Sequence, residues 1–144
     1  MAGTKTFFII KPGAVSHEYI GPILAMIHDH GFHIAALKLI RLNRYHAEHF
    51  YAIHQHKPFF ESLVTFMTSG PVVVGILEKE NAVADYRRLM GATDPAKAEE
   101  GTIRKLFAEN IERNAVHGSD SDENAEIECN FFFAQSDRYS KFED

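Results

Sequence analysis

The run of apolar and polar positions predicts an alternating α/β order along the chain. Residues 6–10 are short, apolar and β-rich and stop at Pro12-Gly13, which fits a buried strand. From about residue 21 to 30, Ile23, Leu24 and Ile27 recur at helical spacing, and Gly31 ends the helix. Residues 33–42 alternate through Ile34, Leu37 and Ile40 as a second strand. Asn43 is placed to cap a helix over residues 45–56, Pro58 interrupts, and a further helical piece covers 60–67. Ser69-Gly70-Pro71 is a turn, and residues 72–77 carry the strongest strand signal in the chain. Residues 81–90 are amphipathic, with Val83, Tyr86, Leu89 and Met90 towards the core and Gly91 as the stop. Residues 92–118 read as mostly irregular, with one short helix at about 103–107. A helical turn is expected at about 121–126, and a last strand at 130–134.

This order is an interrupted βαββαβ pattern. It predicts an α+β fold, a ferredoxin-like sandwich with an antiparallel four-stranded sheet, helices packed on it and a long loop inserted before the last strand. No repeat, low-complexity tract or linker divides the chain, so residues 1–144 are expected to form one domain. The loop over residues 92–114 draws attention because long irregular stretches inside compact domains are commonly functional.

Composition narrows the picture. Apolar residues make up 45% of the 144, enough for a real core, while the longest apolar runs, such as residues 71–77, fall far short of the roughly 20 residues that a bilayer crossing needs. The first residues show neither a signal-peptide nor an Arg-rich transit pattern. A lone cysteine, Cys129, excludes an intramolecular disulfide and a multi-cysteine metal site. These features predict a soluble protein of a reducing, cytoplasmic compartment. The net charge of −5 argues against general affinity for nucleic acid or anionic membrane, so a phosphate-bearing ligand would have to meet a local cluster of cations.

One histidine of the nine stands in a chemically suggestive setting. His117 is followed by Gly118, which removes bulk beside the ring, and by Ser119-Asp120-Ser121. A neutral imidazole has a lone pair near physiological pH and can attack phosphorus without a separate base. Glu128, eleven residues on, is a carboxylate that could accept a ring N–H and fix its orientation. The same residues also read as an ordinary turn before a Ser-capped helix. His28 with His30 and His54 with His56 sit two apart in expected helices, face different ways and make poor metal pairs.

Among the cations, Lys11 follows a buried strand directly, where sheet-end residues often meet ligands. Arg87 flanks the apolar stripe of its helix and either snorkels or serves a site, and Arg104 lies in the long loop's short helix. Convergence of the three would supply the missing cation cluster. Gly-rich phosphate loops, G-x-G-x-x-G turns and protein-kinase motifs are absent.

From residue 6 to about 133 the chain resembles the bacterial-type nucleoside diphosphate kinases. The likeness rests on Asn114-Ala115-Val116-His117-Gly118-Ser119-Asp120-Ser121, similar to the family's N-x-x-H-G-S-D signature. It is supported by Lys11-Pro12, Lys57-Pro58-Phe59-Phe60, Ser69-Gly70-Pro71-Val72, Gly91-Ala92-Thr93-Asp94-Pro95-Ala96 and Gly101-Thr102-Ile103-Arg104. The resemblance implies ping-pong transfer of a γ-phosphoryl group, mainly from ATP, through a phosphohistidine (pros position) at His117 to a nucleoside diphosphate. It implies Mg²⁺ carried on the nucleotide phosphates with no direct protein ligand, and a homo-oligomer, tetramer or hexamer. By position Lys11, Arg87, Thr93 and Arg104 match phosphate contacts, and Asn114 a ribose and phosphate contact, with Lys11 also reaching the ribose. Tyr51 matches a tyrosine beside the histidine, and Glu128 with Ser119 the pair that positions it. Phe59 matches the aromatic on which the base stacks, with Ile111 on the other face. The residue types alone would make Phe59 a core aromatic at a helix start.

One position departs from the family's Lys-Pro-Asp: this chain reads Lys11-Pro12-Gly13-Ala14, which bears on the local turn and subunit contacts and not on phosphate. A phosphohistidine carrier or phosphatase would share the reactive histidine but would not need Phe59 or the long loop. A ferredoxin-like RNA-binding or regulatory module is the non-enzyme alternative, and the acidic charge and missing aromatic RNA-binding pattern speak against nucleic acid.

Overall fold

The computed structural model describes residues 3–142. Four strands form one antiparallel sheet in the order β2-β3-β1-β4. They are β1 (Lys5–Ile10), β2 (His33–Ile40), β3 (Val72–Glu78) and β4 (Val116–Gly118). Between and after them run α1 (Pro12–Ser16), α2 (Ile20–Asp29), α3 (Arg44–Phe50), α4 (Phe60–Met67), α5 (Ala82–Met90), α6 (Ile103–Phe107) and α7 (Asp122–Phe132). The expected ferredoxin-like α+β sandwich with its long loop before the last strand is what forms.

Strand side chains alternate between faces, and both faces of this sheet are covered. Phe7 and Ile9 of β1 pack with Val72, Val74 and Ile76 of β3 against Ala47, Val64, Met67 and Cys129 from α3, α4 and α7. Phe8 and Ile10 pack with Val73 and Leu77 against Ile23, Ile27, Tyr86, Leu89 and Met90 from α2 and α5. Every residue of β3 is buried, which explains why its sequence is apolar without alternation.

The helix boundaries follow local chemistry. Asn43 caps α3 by accepting from the His46 backbone N–H at 2.8 Å. The expected helix over 45–56 breaks after Phe50 into a 3₁₀ turn at Ala52–His54. On α5 it is Ala82, Tyr86, Leu89 and Met90 that are buried, with Val83 only half-buried. Pro12, whose missing N–H costs nothing in a first turn, starts the short α1 that the pattern did not predict.

The last strand is where sequence and structure disagree. Residues 130–134 are not a strand: α7 runs through Phe132, and the fourth strand is Val116–Gly118. Ser121 caps α7 by accepting from the Asn124 N–H at 3.1 Å, and Asp122 and Glu123 complement the helix dipole. Ala125 and Cys129 then fall on one buried face, four apart, with Cys129 packed against the sheet. That capped, amphipathic frame outweighs the β-propensity of Phe131-Phe132-Phe133. β4 in turn pairs with β1 through Phe8↔Gly118, Ile9↔His117 and Ile10↔Val116, so His117 stands on the sheet itself.

Candidate active site

β4 places His117 half-buried beside α7. Its Nε2 lies 3.1 Å from Glu128 Oε1, and Ser119 Oγ donates to the same oxygen at 2.8 Å. Ser119 is itself fixed, because its Oγ accepts from the Phe7 N–H at 3.2 Å and its own N–H donates to Phe7 O at 3.2 Å. With Nε2–H donated to the carboxylate, the neutral ring keeps its lone pair on Nδ1. Phe7 and Phe50 wall the imidazole, with ring centroids 6.0 and 5.6 Å away. Gly118 is required here: a Cβ would stand 2.7 Å from both Met90 and the Tyr86 ring.

Just before the strand, the chain makes a strained turn. Ala115 has φ 74°, and the Val116 N–H donates to Asn114 O at 2.9 Å, which closes a γ-turn of the rare positive-φ kind. Such backbone costs about 1–3 kcal/mol and persists only when its surroundings hold it. Lys11 N–H donates to Ala115 O at 2.8 Å, and the Arg104 guanidinium donates to Asn114 O at 3.3 Å and Val116 O at 3.0 Å. All three carbonyls of the turn are therefore held from outside it.

The cations meet at this turn. Lys11 and Arg104 are both buried, and Lys11 Nζ donates to Asn114 Oδ1 at 2.7 Å. Burial pushes the Lys11 ammonium down to about 8, with the Arg104 charge adding to the shift. Burial also lowers the proton affinity of Arg104, the nearby Arg87 charge adding to that. A third Arg104 donor goes to Gly91 O at 3.1 Å. Arg104, exposed Arg87 and exposed Thr93 share the lining of a cleft of about 530 Å³ with Lys97 and Thr102. Arg104 thus stands between this cleft and the His117 strand.

The remaining candidates fall in two groups. Tyr51 is buried, its hydroxyl finds no partner among the described residues, and burial, reinforced by the Glu128 charge, raises its proton affinity. Phe59 and Ile111 lie outside the buried group, both exposed. Their link is indirect: Ser62, in the first turn of α4 after Phe59, donates to Glu112, the neighbour of Ile111. Asn114 Nδ2 lies 3.5 Å from Thr93 O, the outer limit of a hydrogen bond. The turn at Gly13 forms without an aspartate, its carbonyl accepting from Ser16 Oγ at 2.9 Å. A Cβ there would make only ordinary contact with Phe66. Phe50, Phe7 and the Ala115 turn are not marked as site features by the sequence; the apolar stripe Ala47-Phe50-Tyr51 is the signal available for the first.

A carboxylate-held histidine on the sheet of a ferredoxin-like sandwich, next to buried cations, suits phosphoryl transfer, and the comparisons with known proteins place the chain among the phosphotransferases. The family model described as nucleoside diphosphate kinase matches residues 4–138, and the chain belongs to that family. It is 57% identical over 137 residues to the nucleoside diphosphate kinase of Azorhizobium caulinodans, covering 95% of this chain and 98% of that one. It is 56% identical over 133 residues to that of Lawsonia intracellularis, covering 92% and 96%. Among solved structures, the Aquifex aeolicus nucleoside diphosphate kinase superposes with a TM-score of 0.92 at 39% identity, covering 94% of this chain and 99% of that one. The Halobacterium salinarum enzyme, solved in complex with CDP, gives 0.91 at 36% identity, covering 97% and 93%.

Proposed function

We propose that the chain transfers the γ-phosphoryl group of a nucleoside triphosphate, mainly ATP, to nucleoside diphosphates of any base, in two steps through His117, and so maintains nucleoside triphosphate pools. The observation that carries this reading is the His117–Glu128 pair, which commits Nε2 and leaves Nδ1 as the free nucleophile. In the first step the Nδ1 lone pair forms a bond to the γ-phosphorus, and the bond from phosphorus to the bridging oxygen breaks. The electron pair leaves with the nucleoside diphosphate. Glu128 supports the positive charge that grows on the ring, with Ser119 holding the carboxylate. A terminal oxygen of a second diphosphate then takes the phosphoryl group back, and the ring returns to neutral.

Phosphoryl transfer is chiefly a matter of position and charge. We assign Lys11, Arg87, Thr93 and Arg104 to the phosphates, Asn114 with Lys11 to the ribose, and Tyr51 to the histidine's flank. Three of Arg104's five donors are bound to carbonyls, which leaves two N–H groups for phosphate oxygens. Among the described residues no three His, Cys, Asp or Glu side chains converge to hold an ion, a donor set that fits Mg²⁺ carried on the nucleotide's own phosphate oxygens and water. Mg²⁺ so bound would offset phosphate charge during transfer. Phe59, with Ile111 opposite, offers a stacking face that every base can use.

On the resemblance we further propose a cytoplasmic homo-oligomer, tetramer or hexamer. Exposed Leu37 and Leu39 on the outer strand β2 are apolar surface that a second copy would cover. No helix among the described residues is long and apolar enough to cross a membrane.

The test is two-step labelling. ATP alone should leave acid-labile, alkali-stable phosphate on His117, and GDP added to the isolated phosphoenzyme should discharge it as GTP. Discharge to inorganic phosphate alone, or GTP formation without a labelled intermediate, would overturn the mechanism.

A further inference from the structure

Tyr86 on α5 is the largest fully buried side chain, and its hydroxyl has no hydrogen-bond partner among the described residues. Packing accounts for the ring, which meets Phe8 and Phe32 edge-on with centroids 6.1 and 5.9 Å away. Packing does not account for the oxygen. A phenylalanine would fill the same space and spare the cost of an unpaired buried hydroxyl.

Two neighbours give the oxygen a context. Tyr86 Cδ2 and Cε2 lie 2.7 and 2.8 Å from the point a Cβ on Gly118 would occupy, so the backbone after His117 rests directly on this ring. Arg104 donates to Gly91 O, the C-cap of the helix that carries Tyr86, and to Val116 O, two residues before the Gly118 that rests on the ring. Arg104 is also the cation assigned to phosphate, and reaching for it with the two uncommitted N–H groups would re-aim the three that hold carbonyls. Its terminal nitrogens donate to Gly91 O and Val116 O in the free protein.

We propose that Tyr86 is a positioning residue for phosphoryl transfer, its ring seating Gly118 and its hydroxyl accepting an Arg104 N–H when phosphate draws the guanidinium off a backbone carbonyl. This rests on the reading of His117 and Arg104 given above. The hydroxyl is unpaired in the free state and paired in the phosphate-bound state. An interaction made only in the second state favours it, at the expense of resting stability. No bond is made or broken by Tyr86 itself, and it touches no reacting atom.

Tyr86→Phe keeps the ring and removes the oxygen, and it predicts opposite signs for stability and rate. The Tm should hold or rise by a few degrees, because an unsatisfied buried group is gone. Single-turnover phosphorylation of His117 at sub-saturating ATP should slow roughly 10- to 100-fold, the worth of one hydrogen bond to a charged partner, and nucleotide affinity should weaken with it, because the bond forms when the phosphates arrive. A merely structural tyrosine would not lower the rate of a variant that is as stable as the parent or more so. In an Arg104→Lys background, where the guanidinium fork is gone, the same substitution should have no further effect on rate. A Tyr86→Phe rate equal to the parent's would overturn the proposal, and so would an equal slowing in both backgrounds. Full activity in Arg104→Lys alone would instead overturn Arg104's place in the site, so the two failures are told apart.

Discussion

Lys11 and Arg104 both donate to Asn114 beside a strained turn, and His117 is walled by two phenylalanines and tied to Glu128. Phe59 and Ile111, by contrast, are about half exposed, and their segments are linked by the Ser62–Glu112 hydrogen bond. The buried end is organised before any ligand arrives; the exposed end offers apolar area, with His54 packed on Phe59 and polar side chains beside Ile111. Transfer of a phosphoryl group demands fixed charge and a fixed nucleophile, and a preorganised site delivers both without reorganising during the step. Stacking demands only a face, so rigidity there would add nothing but discrimination. On this comparison the two ends should respond to substitution in different currencies: rate at one, affinity at the other.

The largest effect is expected at His117. His117→Ala should lower turnover on the order of 10³-fold or more and abolish the acid-labile phosphate, while thermal stability changes little because the ring is only half-buried. Wild-type turnover in this variant would remove the buried end's claim to the chemistry. Arg104→Ala comes next, with turnover down about 10²- to 10³-fold. Stability should fall as well, by about 5–10 °C in Tm, because three carbonyls lose a charged donor and the Ala115 turn loses two of its restraints. An Arg104→Ala protein as stable as its parent would show that the turn is held by Lys11 alone.

Much of this arrangement is legible in the sequence, and the illegible part has a physical pattern. Lys11, His117 and Glu128 stand out by type and position, Asn114 only through the resemblance to the family signature, and β1, β3 and α5 by periodicity. What escapes is whatever depends on distant pairing. β4 has only three residues, one of them the polar His117, and it is a strand because β1 lies beside it. Residues 130–134 look like a strand until the Ser121 cap and the buried Ala125 and Cys129 claim them for a helix. The positive φ of Ala115 could not be read from an alanine, which carries no local preference for it. Arg104 is legible as a cation but not as a crosslink between Gly91, Asn114 and Val116.

Lys11 gives a subtler test of the buried end, through pH. Its folded-state value is about 8 against an ordinary 10.5. Below pH 8 both folded and unfolded chains carry the proton, and the whole cost of burying the ammonium is present. Between pH 8 and 10.5 the folded chain releases the proton while the unfolded chain keeps it, so stability contributed by this group rises with pH, by at most on the order of 3 kcal/mol. Denaturant midpoints compared with Lys11→Met should show that rise in the parent and its loss in the variant. Nucleotide phosphate beside Lys11 would raise its proton affinity again. Calorimetry near pH 9 in buffers of different ionisation enthalpy should therefore show proton uptake on binding, and its absence would place the phosphates elsewhere.

The smallest effect belongs to the exposed end, and there uniformity matters more than size. A base stacked on an aromatic ring is worth about 1–3 kcal/mol, and a half-exposed ring should sit at the low end, so Phe59→Ala should raise KM about 5- to 10-fold with turnover nearly unchanged. The same factor is expected for adenine, guanine, cytosine and uracil diphosphates, because each presents a π-face. A loss confined to one base would mean that the exposed end discriminates. A loss in turnover equal to that in KM would mean that Phe59 belongs to the preorganised end, and the division between the two ends would fall with it.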